Sequence, residues 1–328
     1  MTEAETDIFD LIFKVYSVVL KFSTNSSELM KEIRKDFEPF EINTSPSKID
    51  GSMKIIKTDE KFPLSIPKYA IRETFLPPNS FIFNKSNLKF LEEKDKRILR
   101  VNYEKNNILG YFKSPCDYPW FLRFLLKWLV IKSLEKNGIA FIHGSGVERD
   151  GSSLFFIGPS HFGKTYTLII FLLNEYKLIT DDTILFRDDK VLPFYLRSRI
   201  HLNTFKQFPA LEQGLNDRST RLPEIGWFID LKSLFSFQEN EVRPSKLFFI
   251  NIWNASETKI EVIPKKQMLA RLLHTYQIEL EHTLYNQNKD KAMRNIFHNY
   301  NAFVEMANCY EVYAGSDTSF FLDAMQAV

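Results

Sequence analysis

Cysteine is scarce in this chain of 328 residues, which contains two, Cys116 and Cys309. Two thiols so far apart supply neither a disulfide framework nor a zinc cluster, and we interpret them as free, buried thiols. The chain also lacks an excess of one charge, because it contains 43 basic and 41 acidic residues. The 31 phenylalanines and 13 tyrosines form no RNA-binding signature with lysine or arginine. We therefore expect no nucleic-acid partner.

Long apolar runs are also lacking, although a membrane span needs about 18 such residues. The nearest candidate is residues 121–134, which Arg123, Lys127 and Lys132 interrupt. This segment predicts a core helix whose cations reach solvent, with a membrane-surface helix as the alternative. Residues 1–7 are acidic, unlike a signal or transit peptide. We expect a soluble, cytoplasmic protein without a membrane partner.

No internal repeat or low-complexity segment is present, but composition changes at residues 114–119. Residues 1–115 predict a β-rich N-terminal domain that either recognises a substrate or serves packing. Its one predicted helix runs to about residue 37, with Ser26 or Ser27 as N-cap. Its strands are predicted at residues 14–22, 53–57, 69–76, 80–83, 97–103 and 107–112.

Residues 116–328 alternate strand and helix patterns, which predicts a mixed α/β (α+β) domain. Helices are predicted at residues 121–134, 166–173, 264–284, 290–304 and 319–326. Strands are predicted at residues 140–142, 144–151, 154–157, 176–180, 183–187, 190–193, 246–253, 259–263 and 309–313. The strand at 154–157 and the helix at 166–173 enclose the most informative motif of the chain.

That motif fits G-x-x-x-x-G-K-[ST], the phosphate-binding P-loop or Walker A sequence. Its residues are Gly158, Pro159, Ser160, His161, Phe162, Gly163, Lys164 and Thr165. Glycines let backbone N–H groups turn toward phosphate oxygens, and the following helix adds its positive end. Lys164 suits the β- and γ-phosphates and the Thr165 hydroxyl suits Mg²⁺, so the motif predicts ATP and Mg²⁺ as ligands.

Two adjacent carboxylates, Asp181 and Asp182, end the predicted strand at 176–180. One can bind Mg²⁺ together with Thr165, and the other can accept a proton from an attacking hydroxyl. Like charges this close raise the proton affinity of one carboxylate unless Mg²⁺ compensates. The alternative is a solvated turn with side-chain capping.

Four segments of the second half, which follow one another in the family's order, resemble the catalytic domain of HPr kinase/phosphorylase and its kinase-like relatives. Those relatives include kinases that tailor ribosomally made peptides. The segments are Phe141-Ile142-His143-Gly144, residues 154–165, residues 176–182 and, more weakly, residues 223–235. The resemblance covers about residues 140–275 and implies a fold like the nucleotide domain of phosphoenolpyruvate carboxykinase. Residues 1–115 do not resemble the N-terminal domain of the bifunctional enzyme.

The resemblance implies roles for individual residues. Asp181 is assigned as general base and Asp182 as metal ligand, with the reverse left open. His143 either orients a carboxylate or senses phosphate, or is a structural histidine. His161 either touches phosphate or is an exposed histidine at the loop tip. Weaker substrate-binding candidates are Arg197, Arg199, Glu224 and Asp230.

The chain departs from the family where His161 and Phe162 replace small residues. It also lacks the Arg-Gly of the family's third motif, so we extend the resemblance neither to phosphorolysis nor to HPr as substrate. We expect a kinase that transfers the γ-phosphoryl group of ATP to a hydroxyl, serine above all, of a peptide or protein. A small-molecule acceptor such as an amino acid or sugar, and a non-catalytic nucleotide-binding regulatory module, are the alternatives. Each of these three functions is compatible with a homo-oligomer.

Overall fold

The computed structural model describes residues 7–76, 80–113, 119–253, 255–281, 289–315 and 318–328. The chain forms two compact units, which divide between Asn137 and Gly138. The boundary predicted at residue 115 lies outside the described residues, as do Cys116 and the end of the helix predicted at 264–284.

One eight-stranded sheet and two α-helices organise the first unit. The helices are α1 (Ser27–Phe37) and α2 (Pro119–Lys136), with a 3-10 turn at Glu38–Phe40. The strands are β1 (Phe9–Val15), β2 (Val18–Thr24), β3 (Gly51–Lys57), β4 (Ile71–Leu76), β5 (Ser80–Lys85), β6 (Leu88–Glu93), β7 (Arg97–Asn102) and β8 (Asn107–Phe112). Their order is β1-β2-β3-β8-β7-β6-β5-β4.

The helices of the first unit pack on the sheet through alternate strand residues. Along β1, every second side chain is buried, as the period of a half-covered strand requires. α1 begins at the predicted cap, because the Ser26 hydroxyl accepts the Leu29 N–H at 3.3 Å. α2 is a core helix, as predicted, with Leu122, Leu126, Leu129 and Val130 fully buried. The expectation that its cations reach solvent is wrong for Lys127, which is buried, and for Arg123, which pairs with the buried Asp36.

One strand prediction in this unit is wrong. Residues 14–22 form a hairpin rather than a strand, since Val15 pairs with Val18 across a tight turn. Tyr16 sits in the left-handed region at φ 53°, which reverses the chain. Apolar residues on both sides of that turn gave an unbroken strand pattern, and nothing like glycine marked the reversal.

The second unit is a mixed α/β arrangement of three sheets with helices. Its strands are β9 (Ala140–Ile142), β10 (Gly144–Arg149), β11 (Ser152–Ile157), β12 (Lys177–Thr180), β13 (Ile184–Arg187), β14 (Lys190–Leu192), β15 (Ser198–His201), β16 (Thr220–Leu222), β17 (Gly226–Ile229), β18 (Lys246–Ile252), β19 (Lys259–Val262) and β20 (Asn308–Ala314). Its helices are α3 (Lys164–Leu173), α4 (Leu202–Gln207), α5 (Lys265–Glu281), α6 (Lys289–Glu305) and α7 (Thr318–Ala327), with 3-10 turns at Pro209–Gly214 and Leu231–Ser233.

The main sheet of this unit has the order β12-β10-β11-β18-β20-β19. β11, β18 and β20 are parallel, so their carboxyl ends lie at one edge of the sheet. The two smaller sheets have the orders β14-β13-β9 and β15-β17-β16. A core of buried aromatic rings backs β11, where Phe156 lies 5.1 Å from Phe171 and 6.1 Å from Phe248 between ring centroids.

Most elements predicted from the sequence of this unit are present, with ends displaced by a few residues. The exception is residues 198–229, where β15, α4, β16 and β17 were not predicted. Cys309 is a free, buried thiol as expected, and burial raises its pKa to about 11. None of the helices in the described part of the chain combines the length and hydrophobicity needed to span a bilayer.

Candidate functional site

The glycine-rich loop 158–163 connects β11 to α3 at the carboxyl edge of the main sheet. Gly158 has φ +151°, and a Cβ there would lie 2.7 Å from the Ile250 carbonyl oxygen on β18. Only glycine allows the loop to leave the sheet at this point. Gly163 precedes the first turn of α3 with φ +85°. The strand, turn and helix that the motif requires are thus all present.

Lys164 is folded back onto this loop. Its Nζ donates hydrogen bonds to the carbonyl oxygens of Gly158 at 2.9 Å and Pro159 at 2.7 Å. The residue is 7% exposed, so a buried cation is held by backbone dipoles. The Ser145 hydroxyl on β10 donates to the Lys164 carbonyl oxygen at 3.2 Å and ties the start of α3 to the sheet. An anion entering the loop would meet this ammonium group.

Thr165 and Asp181 come together from two elements sixteen residues apart in the chain. The Thr165 hydroxyl on α3 donates to Asp181 Oδ1, just beyond β12, at 3.2 Å. Asp181 is 5% exposed. Burial, followed by the charge of Asp182, raises its pKa above the usual range, against the opposing effects of Ser198, Thr165 and His143. The loop motif and the first aspartate therefore form one cluster.

Two hydroxyl groups on and before β15 line the far side of Asp181. Ser198 is 1% exposed, and its Oγ is buried without a hydrogen bond of good geometry. It lies close enough to Asp181 and Tyr195 to oppose the rise in their pKa values. The Tyr195 hydroxyl donates to the Ile229 carbonyl oxygen at 3.1 Å and accepts the Leu231 N–H at 2.6 Å. These two hydrogen bonds hold the Tyr195 side chain in place beside β17 and the 3-10 turn that follows it.

Asp182 lies in a different environment from Asp181. Its side chain is 42% exposed, and its Oδ1 is 3.1 Å from His143 Nδ1. The same ring nitrogen is 3.1 Å from the Asp182 backbone oxygen. Asp182 also has φ +66°, so the chain turns sharply between the two carboxylates. Adjacent carboxylates in unlike surroundings are the arrangement that lets one bind protons and the other stay ionised.

His161 occupies the tip of the loop and is exposed. Its φ of +69° lies in the left-handed region that favours glycine. Its ring lies 5.4 Å from the ring of His201, in an edge-to-face contact with the end of β15. The neighbouring Phe162 is half-buried. The histidine thus links the loop to a sheet that was not predicted.

The four weaker candidates separate into buried supports and exposed groups. Arg197 is 3% exposed and donates to the Arg218 carbonyl oxygen and the Thr220 hydroxyl at 2.7 and 2.8 Å. Asp230 caps the 3-10 turn that follows it by accepting the Lys232 N–H. Arg199 and Glu224 are the exposed members of this set.

The oxygen atoms at the cluster suit a hard cation. In the described residues, no three His, Cys, Asp or Glu side chains converge on one point. Mg²⁺ needs no such cage, since it usually binds through one or two carboxylates, water and substrate phosphates. The Thr165 hydroxyl, together with one carboxylate of the aspartate pair, is a donor set that fits Mg²⁺ accompanying a phosphate ligand.

Sequence reasoning missed Tyr195, Ser198 and His201. All three lie on or beside β15, a four-residue strand in the segment where no regular pattern was recognised. Their pairing partners come from β17, about thirty residues later. One signal for these residues was available in the sequence. The weak resemblance at residues 223–235 indicated that the segment forming β17, the partner of β15, belongs to the site.

Comparison with protein-family models gives no match for this chain, and comparison with curated proteins gives none either. The geometry of the cluster must therefore support a functional interpretation by itself.

Proposed function

We propose that this chain is an ATP-dependent phosphotransferase of the HPr-kinase-like type, with a P-loop nucleotide domain related to that of phosphoenolpyruvate carboxykinase. The observation that carries the proposal is the contact between Thr165 and Asp181, which joins the phosphate-loop motif to the aspartate pair. The favoured acceptor is a hydroxyl, serine above all, of a peptide or protein.

The reaction uses few protein groups. The loop N–H groups and Lys164 bind the phosphates of ATP, for which Lys164 exchanges its contacts with the Gly158 and Pro159 carbonyls. The acceptor oxygen bonds to the γ-phosphorus while the bond from phosphorus to the β–γ bridging oxygen breaks. ADP leaves with that electron pair, and the acceptor proton passes to Asp181. The raised pKa of Asp181 suits it to hold the proton.

Mg²⁺, when bound, would neutralise phosphate charge. With Asp181 as the base, the Thr165 hydroxyl and Asp182 are the groups that would hold it. His143 holds the Asp182 carboxylate in one orientation through the contact between its Nδ1 and Asp182 Oδ1.

Lys164→Ala and Asp181→Asn test the proposal. We expect Lys164→Ala to weaken binding of an ATP analogue about tenfold or more, because a charge-assisted contact is lost. We expect Asp181→Asn to lower phosphoryl transfer by about 10²–10⁴-fold while analogue binding persists. Binding is measured by calorimetry, and transfer by [γ-³²P]ATP with a cell extract as acceptor source.

Matched controls are Lys177→Ala and Asp217→Asn, which remove the same charges at exposed positions of the same unit. Full activity in both site variants would contradict the proposal. Label in small metabolites instead of polypeptide would retain the chemistry and change the acceptor. Analogue binding without turnover on any acceptor would favour a regulatory module.

A further inference from the structure

Three basic side chains converge beside the phosphate loop, and the phosphoryl transfer proposed above does not use them. Arg199 and His201 are alternate residues of β15, so they share one face of that strand. His161 reaches the same place from the loop tip, where its ring meets that of His201 at 5.4 Å. We call Arg199, His201 and His161 the basic face.

The opposite face of β15 belongs to the core. Ile200, which alternates with them, is fully buried among the apolar residues that back the main sheet. Arg199 is exposed, whereas Arg197, two residues earlier, is buried and hydrogen-bonded to Thr220. The basic face is therefore the part of this strand where cations meet solvent rather than internal partners.

In the described part of the chain, none of the three forms an ion pair with an aspartate or glutamate. The pKa of His201 is lowered by burial and then by the positive charges of Arg199 and His161. An anion bound among these groups would offset that repulsion and favour the protonated ring of His201, so the three side chains form a site for an anion.

The basic face adjoins the tip of the phosphate loop without being the loop interior. His161 brings it to the loop, whereas Ser198, which contacts Asp181, alternates with Arg199 and lies on the other face of β15. The phosphates of ATP are already served by the loop N–H groups and Lys164, while the His161 ring packs on His201 outside the loop. An anion bound here would lie outside the loop, beside its tip.

We propose that Arg199, His201 and His161 bind a negatively charged group, a carboxylate or phosphate, carried by the acceptor. This inference rests on the proposed phosphotransferase function and narrows its substrate class to anionic acceptors. It also explains why the loop carries a histidine in a backbone conformation that favours glycine.

Inorganic phosphate is the probe that tests this site. Titration calorimetry would measure phosphate binding to the full chain already saturated with Mg²⁺ and the non-hydrolysable analogue AMP-PNP. We expect the wild-type protein to bind phosphate. Arg199→Gln should weaken that binding about tenfold, the loss of a charge-assisted contact, and leave AMP-PNP affinity within about twofold.

His161→Gly is a second variant, which removes the ring and relieves the backbone, and it should also weaken phosphate binding. Arg221→Gln is the matched control. Arg221 is an exposed arginine on β16 that pairs with Trp227, which in turn lies opposite Ile200, so it belongs to the other face of the same sheet. It should change neither affinity.

Three outcomes would overturn the inference while leaving the proposed function intact. They are no phosphate binding to the loaded protein, equal loss in Arg221→Gln, and a loss of AMP-PNP affinity in Arg199→Gln as large as the loss of phosphate affinity. The last would assign the basic face to the nucleotide. Failure of AMP-PNP to bind at all would overturn the proposed function, and this inference with it.

Discussion

Asp181 and Asp182 are neighbours in the chain but have unlike surroundings. Asp181 is buried against the Thr165 hydroxyl, and Asp182 is half-exposed against His143. A buried carboxylate beside a second one is costly to ionise, and the raised pKa of Asp181 expresses that cost. The protein keeps this unfavourable carboxylate at the position where it is proposed to act. Its cost should therefore appear in the free energy of unfolding.

Asp181→Asn should stabilise the ligand-free protein at neutral pH. The unfolded chain ionises Asp181 near the ordinary aspartate pKa of 3.8, while the folded chain keeps the proton to a higher pH. Stability of the wild type therefore falls as pH rises through that window, and the variant escapes the loss. A gain of about 1 kcal/mol would raise Tm by roughly 2–4 °C.

Melting curves in EDTA between pH 4 and pH 8 would check this expectation. The advantage of the variant should shrink toward pH 4 and be largest at pH 8. Asp217→Asn, an exposed aspartate, is the control. An advantage that is independent of pH would contradict the electrostatic explanation.

The division of labour between the two carboxylates gives a separate prediction. If Asp182 is the metal ligand, Asp182→Asn should raise the Mg²⁺ concentration needed for half-maximal transfer by about tenfold or more, and excess Mg²⁺ should restore activity. Asp181→Asn should stay inactive at any Mg²⁺ concentration. The inverse pattern in a Mg²⁺ titration of both variants would exchange the two roles.

At the scale of elements, the sequence predicted what local periodicity and turn chemistry determine. β11, the glycine-rich loop and α3 follow from an apolar run, a motif and a helical pattern that are contiguous in the chain. β15 and β17 could not be predicted this way. Each has four residues, and they form a sheet only by pairing across residues 202–225, a segment that contains α4 and β16. Short strands of this kind are specified by distant partners rather than by their own sequence.

The same limit applies to the site. Lys164, Thr165 and the aspartates were recognisable because their chemistry is written in short motifs. Ser198 and His201 join them only through the pairing of β15, so no local pattern could identify them. The departure at His161 was visible in the sequence, but its contact with His201 was not.

Gly158→Ala should disrupt the junction between β11 and the loop. Its Cβ would lie 2.7 Å from the Ile250 carbonyl oxygen, a backbone atom that cannot move aside without parting β11 from β18. We expect a loss of roughly 1–3 kcal/mol from backbone strain, and weaker binding of AMP-PNP. Urea unfolding and calorimetry would measure the two effects.

Gly151→Ala is the matched control for this substitution. Gly151 has φ +80°, and no atom lies within 4 Å of the added Cβ. The variant should therefore lose about 1 kcal/mol of stability, because alanine disfavours the left-handed backbone conformation. It should keep full affinity for AMP-PNP. Equal affinity losses in both variants would show that the contact with Ile250 is not what matters.

At the scale of the whole molecule, every residue assigned a chemical role lies in the second compact unit. The first unit has its own sheet and its own core beneath α1 and α2, including the fully buried Phe13 and Phe37, whose ring centroids are 4.8 Å apart. The length of the chain and the change of composition at residues 114–119 had predicted two domains. Two cores imply that stability can be altered in one unit while chemistry in the other is preserved.

Arg123→Ala should lower the thermal transition of the first unit. Arg123 Nε lies 2.7 Å from Asp36 Oδ2, and the Asp36 side chain is 0% exposed. Removing the cation deprives a buried carboxylate of this ion pair, at a cost of about 3–5 kcal/mol. Arg34→Ala, which breaks an exposed pair with Glu41 in the same unit, should cost less than about 1 kcal/mol.

Differential scanning calorimetry with and without Mg²⁺ and AMP-PNP would assign these effects to the units. A ligand that binds only the folded second unit raises the transition of that unit by mass action. We therefore expect AMP-PNP to shift the same transition by the same amount in the wild type and in Arg123→Ala, while the substitution shifts the other. A fall in AMP-PNP affinity in Arg123→Ala, with Arg34→Ala unchanged, would show that the first unit contributes to nucleotide binding and would overturn the separation of stability from chemistry.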